Sequence, residues 1–97
     1  MVKLLKIVPA EKSSNKKYVA TFLLSNDEIK HTYFGSRPYT DYTLGATGLQ
    51  RTHYWKRHNK DLRGKVYDAG ILSLYILWGN HRDINKNIQE YRRLFSV

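Results

Sequence analysis

The spacing of apolar residues changes from every second residue in the first third of the chain to every third or fourth residue near its end. Alternation is typical of a β-strand with one buried face, and it is clearest in segment 17–24. The alternating residues there are Tyr18, Ala20, Phe22 and Leu24. Segments 2–8 and 29–34 are also rich in β-forming residues, and Pro9 ends the first because proline cannot donate to a β-ladder. Polar turns separate the three segments, so we predict a three-stranded antiparallel meander.

Three helices are predicted after the meander. Thr47 and Gln50 form a capping-box pattern, which starts the first helix over residues 48–60. The second helix, residues 69–78, is apolar on every side and is expected to be buried. The third carries a narrow apolar stripe that would dock on the core. The N-caps of the second and third helices are Asp68 and Asp83, and the stripe consists of Ile84, Ile88, Tyr91 and Phe95.

These elements predict the fold class α+β: a three-stranded antiparallel meander followed by three helices in a single compact domain. The 97 residues are too few for two cores, and without cysteine the domain must be stabilised by packing. Trp55 and Trp78 are expected to be core anchors. Gly79 is expected to end the second helix in the left-handed conformation. Gly70, inside that helix, is expected to allow another backbone to approach closely.

Positive charge is concentrated in the middle of the chain. The formal net charge is +9, and segment 30–65 holds eight of the 17 Lys and Arg residues but only two of the eight acidic residues. Cations contact phosphates and aromatic rings stack on bases, so nucleic acid is the predicted partner. The predicted nucleic-acid-binding residues are Arg37, Tyr39, Arg51, His53, Lys56, Arg57, Lys60, Arg63 and Lys65. The alternative is a solvated basic surface over an aromatic core, and the composition leaves both interpretations open.

The sequence also bounds the type of binding. It contains no zinc-finger, helix-turn-helix, P-loop or RNP motif, so we predict binding to DNA through phosphates with little sequence readout. No metal or other cofactor is predicted. No apolar run approaches the ~20 residues of a membrane span, so none is predicted. Lysines interrupt the apolar residues of segment 2–7, so no signal peptide is predicted.

Two other functions use the same residues. Tyr, Trp and Arg are enriched at protein interfaces, so the chain is alternatively a structural or interaction protein, including one that binds itself. A hydrolase would need residues that bind a metal or activate water. His53 and His58 do not share a helix face, because five residues turn a helix about 140° beyond one full turn. We therefore predict no enzymatic activity, with Asp41 capping a turn and pairing with Arg57. The candidate hydrolase residues are His31, Asp41, His53, His58 and Asp61.

Several short motifs occur together between residues 30 and 95. They are Phe34-Gly35, Asp41-Tyr42-Thr43, Tyr54-Trp55 with Arg57-His58, Leu72-Ser73, Ile76-Leu77-Trp78, and Arg92-Arg93 before Phe95. In this pattern the chain resembles a small family of uncharacterised proteins of nucleocytoplasmic large DNA viruses, which infect algae and amoebae. The resemblance implies a viral origin. It is compatible with packaging in the virion beside other virion proteins, and with a location in the virion and in the viral factory of the host cytoplasm. It implies no catalytic residue.

The chain departs from this family pattern at two places. Pro38 or Tyr39 stands where the family has a second glycine, and Thr47-Gly48-Leu49 stands where the family has a more charged start of the first helix. Both departures concern the loop before the first helix, so they leave its conformation open without changing the expected topology.

Overall fold

Three antiparallel strands form the first third of the protein, as predicted. A computed structural model describes all 97 residues. The strands are β1 (Lys3–Pro9), β2 (Lys16–Leu23) and β3 (Ile29–Ser36), and the sheet order is β1-β2-β3. Pro9 lies at the end of an edge strand, where its missing amide proton costs no ladder hydrogen bond. Consecutive strands are neighbours, so the sheet needs only two short turns.

A β-bulge in β1 lets apolar residues with irregular spacing reach one face of the sheet. The pairing register shifts at Leu5: Leu4 lies opposite Phe22, and Ile7 lies opposite Ala20. Leu4 and Ile7 therefore share a face although they are three residues apart, an odd spacing that an unbroken strand would place on opposite faces. The extra residue, Leu5, is exposed.

The helical part of the chain follows the sheet. It consists of α1 (Gly48–His58), a 3-10 turn (Asn59–Arg63), α2 (Ala69–Leu72) continuing into a π-helical turn (Ser73–Leu77), and α3 (Ile84–Phe95). The predicted α+β fold, with three antiparallel strands followed by three helices in one compact globule, is confirmed. None of these helices has the length and the apolar composition that crossing a membrane would require.

The core lies between one face of the sheet and the second helix, which is buried as predicted. Trp78 is 8% exposed and is a core residue, and Trp55 is half-buried against the core. From α3, Tyr91 is fully buried, and its hydroxyl donates to the carbonyl of Val66. The core cluster consists of Leu4, Ala20, Phe22, Phe34, Ala46, Ile71, Leu72, Ile76, Leu77, Trp78 and Tyr91.

The second helix ends differently from the prediction. Gly79 is not left-handed, because Gly35 and Gly45 are the only glycines with positive φ. The helix instead ends in the wider π-helical turn, which is closed by the hydrogen bond from Trp78 N to Ser73 O at 2.9 Å. A side chain at Gly79 would overlap the carbonyl oxygen of Tyr75 and approach the side chain of Asn87. Glycine is required there for close packing against α3.

Asn87 occupies a position in α3 that the apolar stripe did not predict. It is completely buried. Its Nδ2 donates to the carbonyls of Ile76 (2.8 Å) and His81 (2.7 Å), and its Oδ1 accepts from the amide of His81 (2.9 Å). One side chain thus joins the end of the second helix, the following turn and α3.

We expect Glu90 to titrate below its ordinary pKa of 4.5. Hydrogen bonds from His81 and then from Asn80 to its carboxylate lower this pKa in the folded protein. The unfolded pKa is the higher one, so the interaction stabilises the fold above about pH 4.5 and is lost as the pH falls through the folded pKa. An NMR titration of the Glu90 carboxyl carbon measures this. In His81→Ala the pKa of Glu90 should rise toward 4.5, and an unchanged pKa would contradict the role of the His81 hydrogen bond.

Candidate nucleic-acid interface and adjoining cleft

α1 is held on the domain by one side only. The predicted capping box is formed: Gln50 N donates to Thr47 Oγ1 (3.1 Å), and Thr47 N donates to the Gln50 side-chain oxygen (2.7 Å). The Trp55 indole donates to the carbonyl of Trp78 at 2.7 Å, and the Tyr54 ring stacks on the Trp78 ring. No residue of α1 is fully buried. The sides of α1 away from these aromatic contacts therefore remain accessible to a partner.

Six of the predicted binding residues lie along α1, the turn after it and the residues just beyond that turn, and we call them the basic edge. All six are exposed, and none of their side chains makes an ion pair or a hydrogen bond. Only Lys17, among the 17 Lys and Arg residues, is in an ion pair. The charge of the basic edge is consequently not neutralised by the protein itself. The basic edge consists of His53, Lys56, Arg57, Lys60, Arg63 and Lys65.

Arg37 and Arg51, two other predicted binding residues, have structural contacts instead. Arg51 Nε donates to the carbonyls of Trp78 (3.1 Å) and Gly79 (2.8 Å), which lie at the end of the second helix. The Arg37 guanidinium donates to three carbonyls of segment 10–14, in the turn between β1 and β2. Both side chains are held by backbone carbonyls, so they are less free to contact a ligand than the side chains of the basic edge.

A cleft with a volume of about 700 Å³ adjoins the basic edge. It lies between the end of β3 with the loop after it and the helices α1 and α2. His53 and Arg57 of the basic edge line it, together with Tyr39, the remaining predicted binding residue, which is 72% exposed. The structure thus brings three of the nine predicted residues to one concave surface. Sequence analysis missed its other polar lining residues Lys16, Lys17, Ser36, Thr40 and Ser73.

Asp41 also lines this cleft, and its ion-pair partner differs from the prediction. It is 1% exposed and pairs with Lys17 Nζ at 2.7 Å, not with Arg57. Its carboxylate also accepts from the amides of Thr43 (2.9 Å) and Leu44 (3.2 Å), so the predicted capping role is confirmed. Lys17 reaches the carboxylate from β2, which pairs with β3, the strand before the loop. Arg57 consequently lines the cleft without an acidic partner.

Three stacked rings form the helical side of the cleft, and we call them the aromatic stack: Trp78, Tyr54 and His58. The Trp78 and Tyr54 centroids are 4.3 Å apart at an interplanar angle of 7°, and those of Tyr54 and His58 are 4.1 Å apart at 23°. Burial raises the pKa of the Tyr54 phenol above its ordinary value. His58 is the outermost ring, and its Nδ1 lies 3.4 Å from Asp61 Oδ2, which fixes the ring's orientation.

Asp61 takes this position because Gly70 leaves room for it. A Cβ at Gly70 would lie 2.7 Å from Asp61 Cγ. The close approach predicted at Gly70 therefore exists, but it is made by a side chain and not by another backbone.

Four of the five candidate hydrolase residues line the same cleft, namely Asp41, His53, His58 and Asp61. The fifth, His31, lies elsewhere on β3 and shares a hydrogen bond with Thr21. No group of three His, Asp or Glu side chains is placed to hold a metal ion.

The fold and this surface define a small basic α+β domain with an open cleft beside an exposed cationic helix. The chain belongs to the family described as "Family of unknown function (DUF5754)", whose model matches residues 6–58. The match extends from β1 to the end of α1, so it includes Tyr39, Asp41 and the first half of the basic edge. No curated protein matches the chain. No solved structure matches it either.

Proposed function

We propose that this protein binds nucleic acid through phosphate contacts along the basic edge. The observation that carries the proposal is that six basic side chains along α1, the turn after it and the residues just beyond that turn are exposed and make no ion pair or hydrogen bond within the protein. Cations that lack internal counter-charges attract the phosphate backbone, and binding releases the counterions condensed on it.

The contacts are expected to carry little sequence information. Lys56, Lys60 and Lys65 are long, flexible point charges, and Arg63 is exposed without a fixing contact. Such side chains follow a backbone of any sequence, whereas base readout needs donors held in a fixed geometry. DNA is the expected ligand, and the proposal includes no catalytic step. Viral origin and virion packaging, implied by the motif resemblance, stay predictions of that resemblance.

Replacing Lys56, Arg57 and Lys60 together with Ala should weaken binding to every nucleic acid and flatten its salt dependence. Each lost phosphate contact lowers the slope of log K against log salt by about 0.9 for duplex DNA and about 0.7 for single strands. The triple variant should therefore lose about 2–3 in slope. Fluorescence anisotropy over a salt series measures this. All three positions are exposed, so the stability of the fold should hardly change.

The matched control is Lys3→Ala, Lys6→Ala and Lys12→Ala, which removes the same charge from β1 and the turn that follows. This control should retain the wild-type slope. Equal losses in both variants would show attraction by net charge without a localised interface. A stable oligomer in light scattering, with no salt-sensitive binding to DNA or RNA, would refute the proposal in favour of a protein-interaction role.

A further inference from the structure

We propose that the cleft binds one nucleotide unit of a single strand, with the base stacked on His58 and the phosphate held by Arg57. This inference rests on the proposed function and adds a ligand class to it. The basic edge attracts the backbone of any nucleic acid, whereas the cleft accepts a unit whose base is not stacked within a duplex.

The aromatic stack supplies the surface for the base. Trp78 is buried and Tyr54 is half-buried, so the stack begins in the core and ends at His58 on the cleft. One face of the His58 ring lies on Tyr54, and its side chain is 37% exposed. Contact with Tyr54 and Asp61 has already ordered the ring, so stacking a base on it costs little additional conformational entropy.

The cations of the cleft supply the surface for the phosphate. Lys17 is neutralised by Asp41. Asp61 is paired with His58. Arg57 and Lys16 remain as the cations of the lining without an acidic partner, and the Lys16 ammonium reaches only the Ser36 hydroxyl, at 3.4 Å. Arg57 is the stronger ligand, because its planar guanidinium can donate two parallel hydrogen bonds to a phosphate.

The size and opening of the cleft agree with a mononucleotide. Its volume of about 700 Å³ lies within the range of about 300–1,000 Å³ that is typical of small-molecule sites. Tyr39 also lines the cleft and is 72% exposed, so its ring is accessible to a bound base. Stacking on aromatic rings recognises bases without distinguishing them, in keeping with binding of low sequence specificity.

The test is an NMR titration of the isotope-labelled protein with adenosine 5′-monophosphate, adenosine and inorganic phosphate, each in turn. Adenosine 5′-monophosphate should shift the signals of His58, Tyr54, Gly35 and Gly70 in a saturable way. Adenosine lacks the phosphate and inorganic phosphate lacks the base, so each should bind more weakly than adenosine 5′-monophosphate. A short single-stranded oligonucleotide should shift the same signals and, in addition, those of the basic edge.

Two pairs of variants locate the site. Arg57→Ala should weaken the monophosphate complex far more than Lys56→Ala, although the residues are neighbours, because only Arg57 lines the cleft. His58→Ala should weaken it at least about fivefold through the lost stacking, whereas His31→Ala, on the sheet away from the cleft, should not. Arg57 is exposed and makes no internal hydrogen bond or ion pair, so its variant tests the site even if His58→Ala is poorly folded.

The outcomes separate this inference from the proposed function. If the oligonucleotide binds with salt dependence but the monophosphate does not bind at millimolar concentration, the cleft is not a nucleotide site and the proposed function stands. Equal losses in Arg57→Ala and Lys56→Ala would also overturn the inference, as would phosphate binding as tightly as the monophosphate. If neither the monophosphate nor the oligonucleotide binds, both proposals fall.

Discussion

Asp41→Ala should destabilise the domain by about 3–5 kcal/mol, because it leaves the Lys17 ammonium without its counter-charge in a site that is 12% exposed. The same substitution removes the acceptor for the amides of Thr43 and Leu44. Domains of this size are stable by about 5–15 kcal/mol, so the loss would be a large share of the total. Urea denaturation, with the free energy of unfolding extrapolated to water, measures it.

Two further variants separate the contributions of Asp41. Asp41→Asn retains an acceptor for the turn but removes the charge, so it should cost less than Asp41→Ala. Adding Lys17→Met to Asp41→Ala removes the unpaired ammonium and should recover part of the lost stability. If Asp41→Ala alone cost less than about 1 kcal/mol, the pair would be a solvated surface contact and not a buried one.

Asn87→Leu should destabilise the domain by about 3 kcal/mol or more. It leaves the buried carbonyls of Ile76 and His81 and the amide of His81 without their side-chain partner, and each unsatisfied buried group costs about 1–3 kcal/mol. The leucine branch would also press on Gly79, which already lies against the Asn87 side chain. Thermal and urea unfolding should agree on the loss.

The control for this prediction lies on the same helix. Asn85 is exposed, so Asn85→Leu should change the stability by no more than about 0.5 kcal/mol. Similar costs for the two substitutions would indicate a loss of helix propensity and would contradict the role of the Asn87 hydrogen bonds.

The topology was predictable from local patterns. The strand β2, the Thr47 and Gln50 capping box and the Asp83 cap were each predicted from a few neighbouring residues, and all three are confirmed. The end of the second helix was not predictable. No local signal marks its π-helical turn, and Gly79 is needed because a side chain there would meet the carbonyl of Tyr75 and the side chain of Asn87 on α3.

The charged residues of the candidate interface were likewise named from composition, but their structural roles were not distinguishable from one another. Arg37 and Arg51 have the same side chain as Arg57, and only their positions beside backbone carbonyls separate them. Lys17 gave no functional signal because it lies in a strand 24 residues before Asp41. Helix geometry predicted that His53 and His58 lie on different faces of α1. Both nevertheless line the same cleft, because the cleft is concave.

The sequence by itself determined the order of strands and helices and the segment in which positive charge accumulates, because hydrophobic periodicity, caps and charge act over a few residues. Only the tertiary structure decided which cations are free and which are engaged. It also decided that an aromatic stack and a paired carboxylate would form a cleft beside the basic edge. The contacts Tyr54–Trp78 and Lys17–Asp41 each join residues 24 positions apart in the chain. Such contacts form where the fold brings the partners together, because a buried polar group must find a partner.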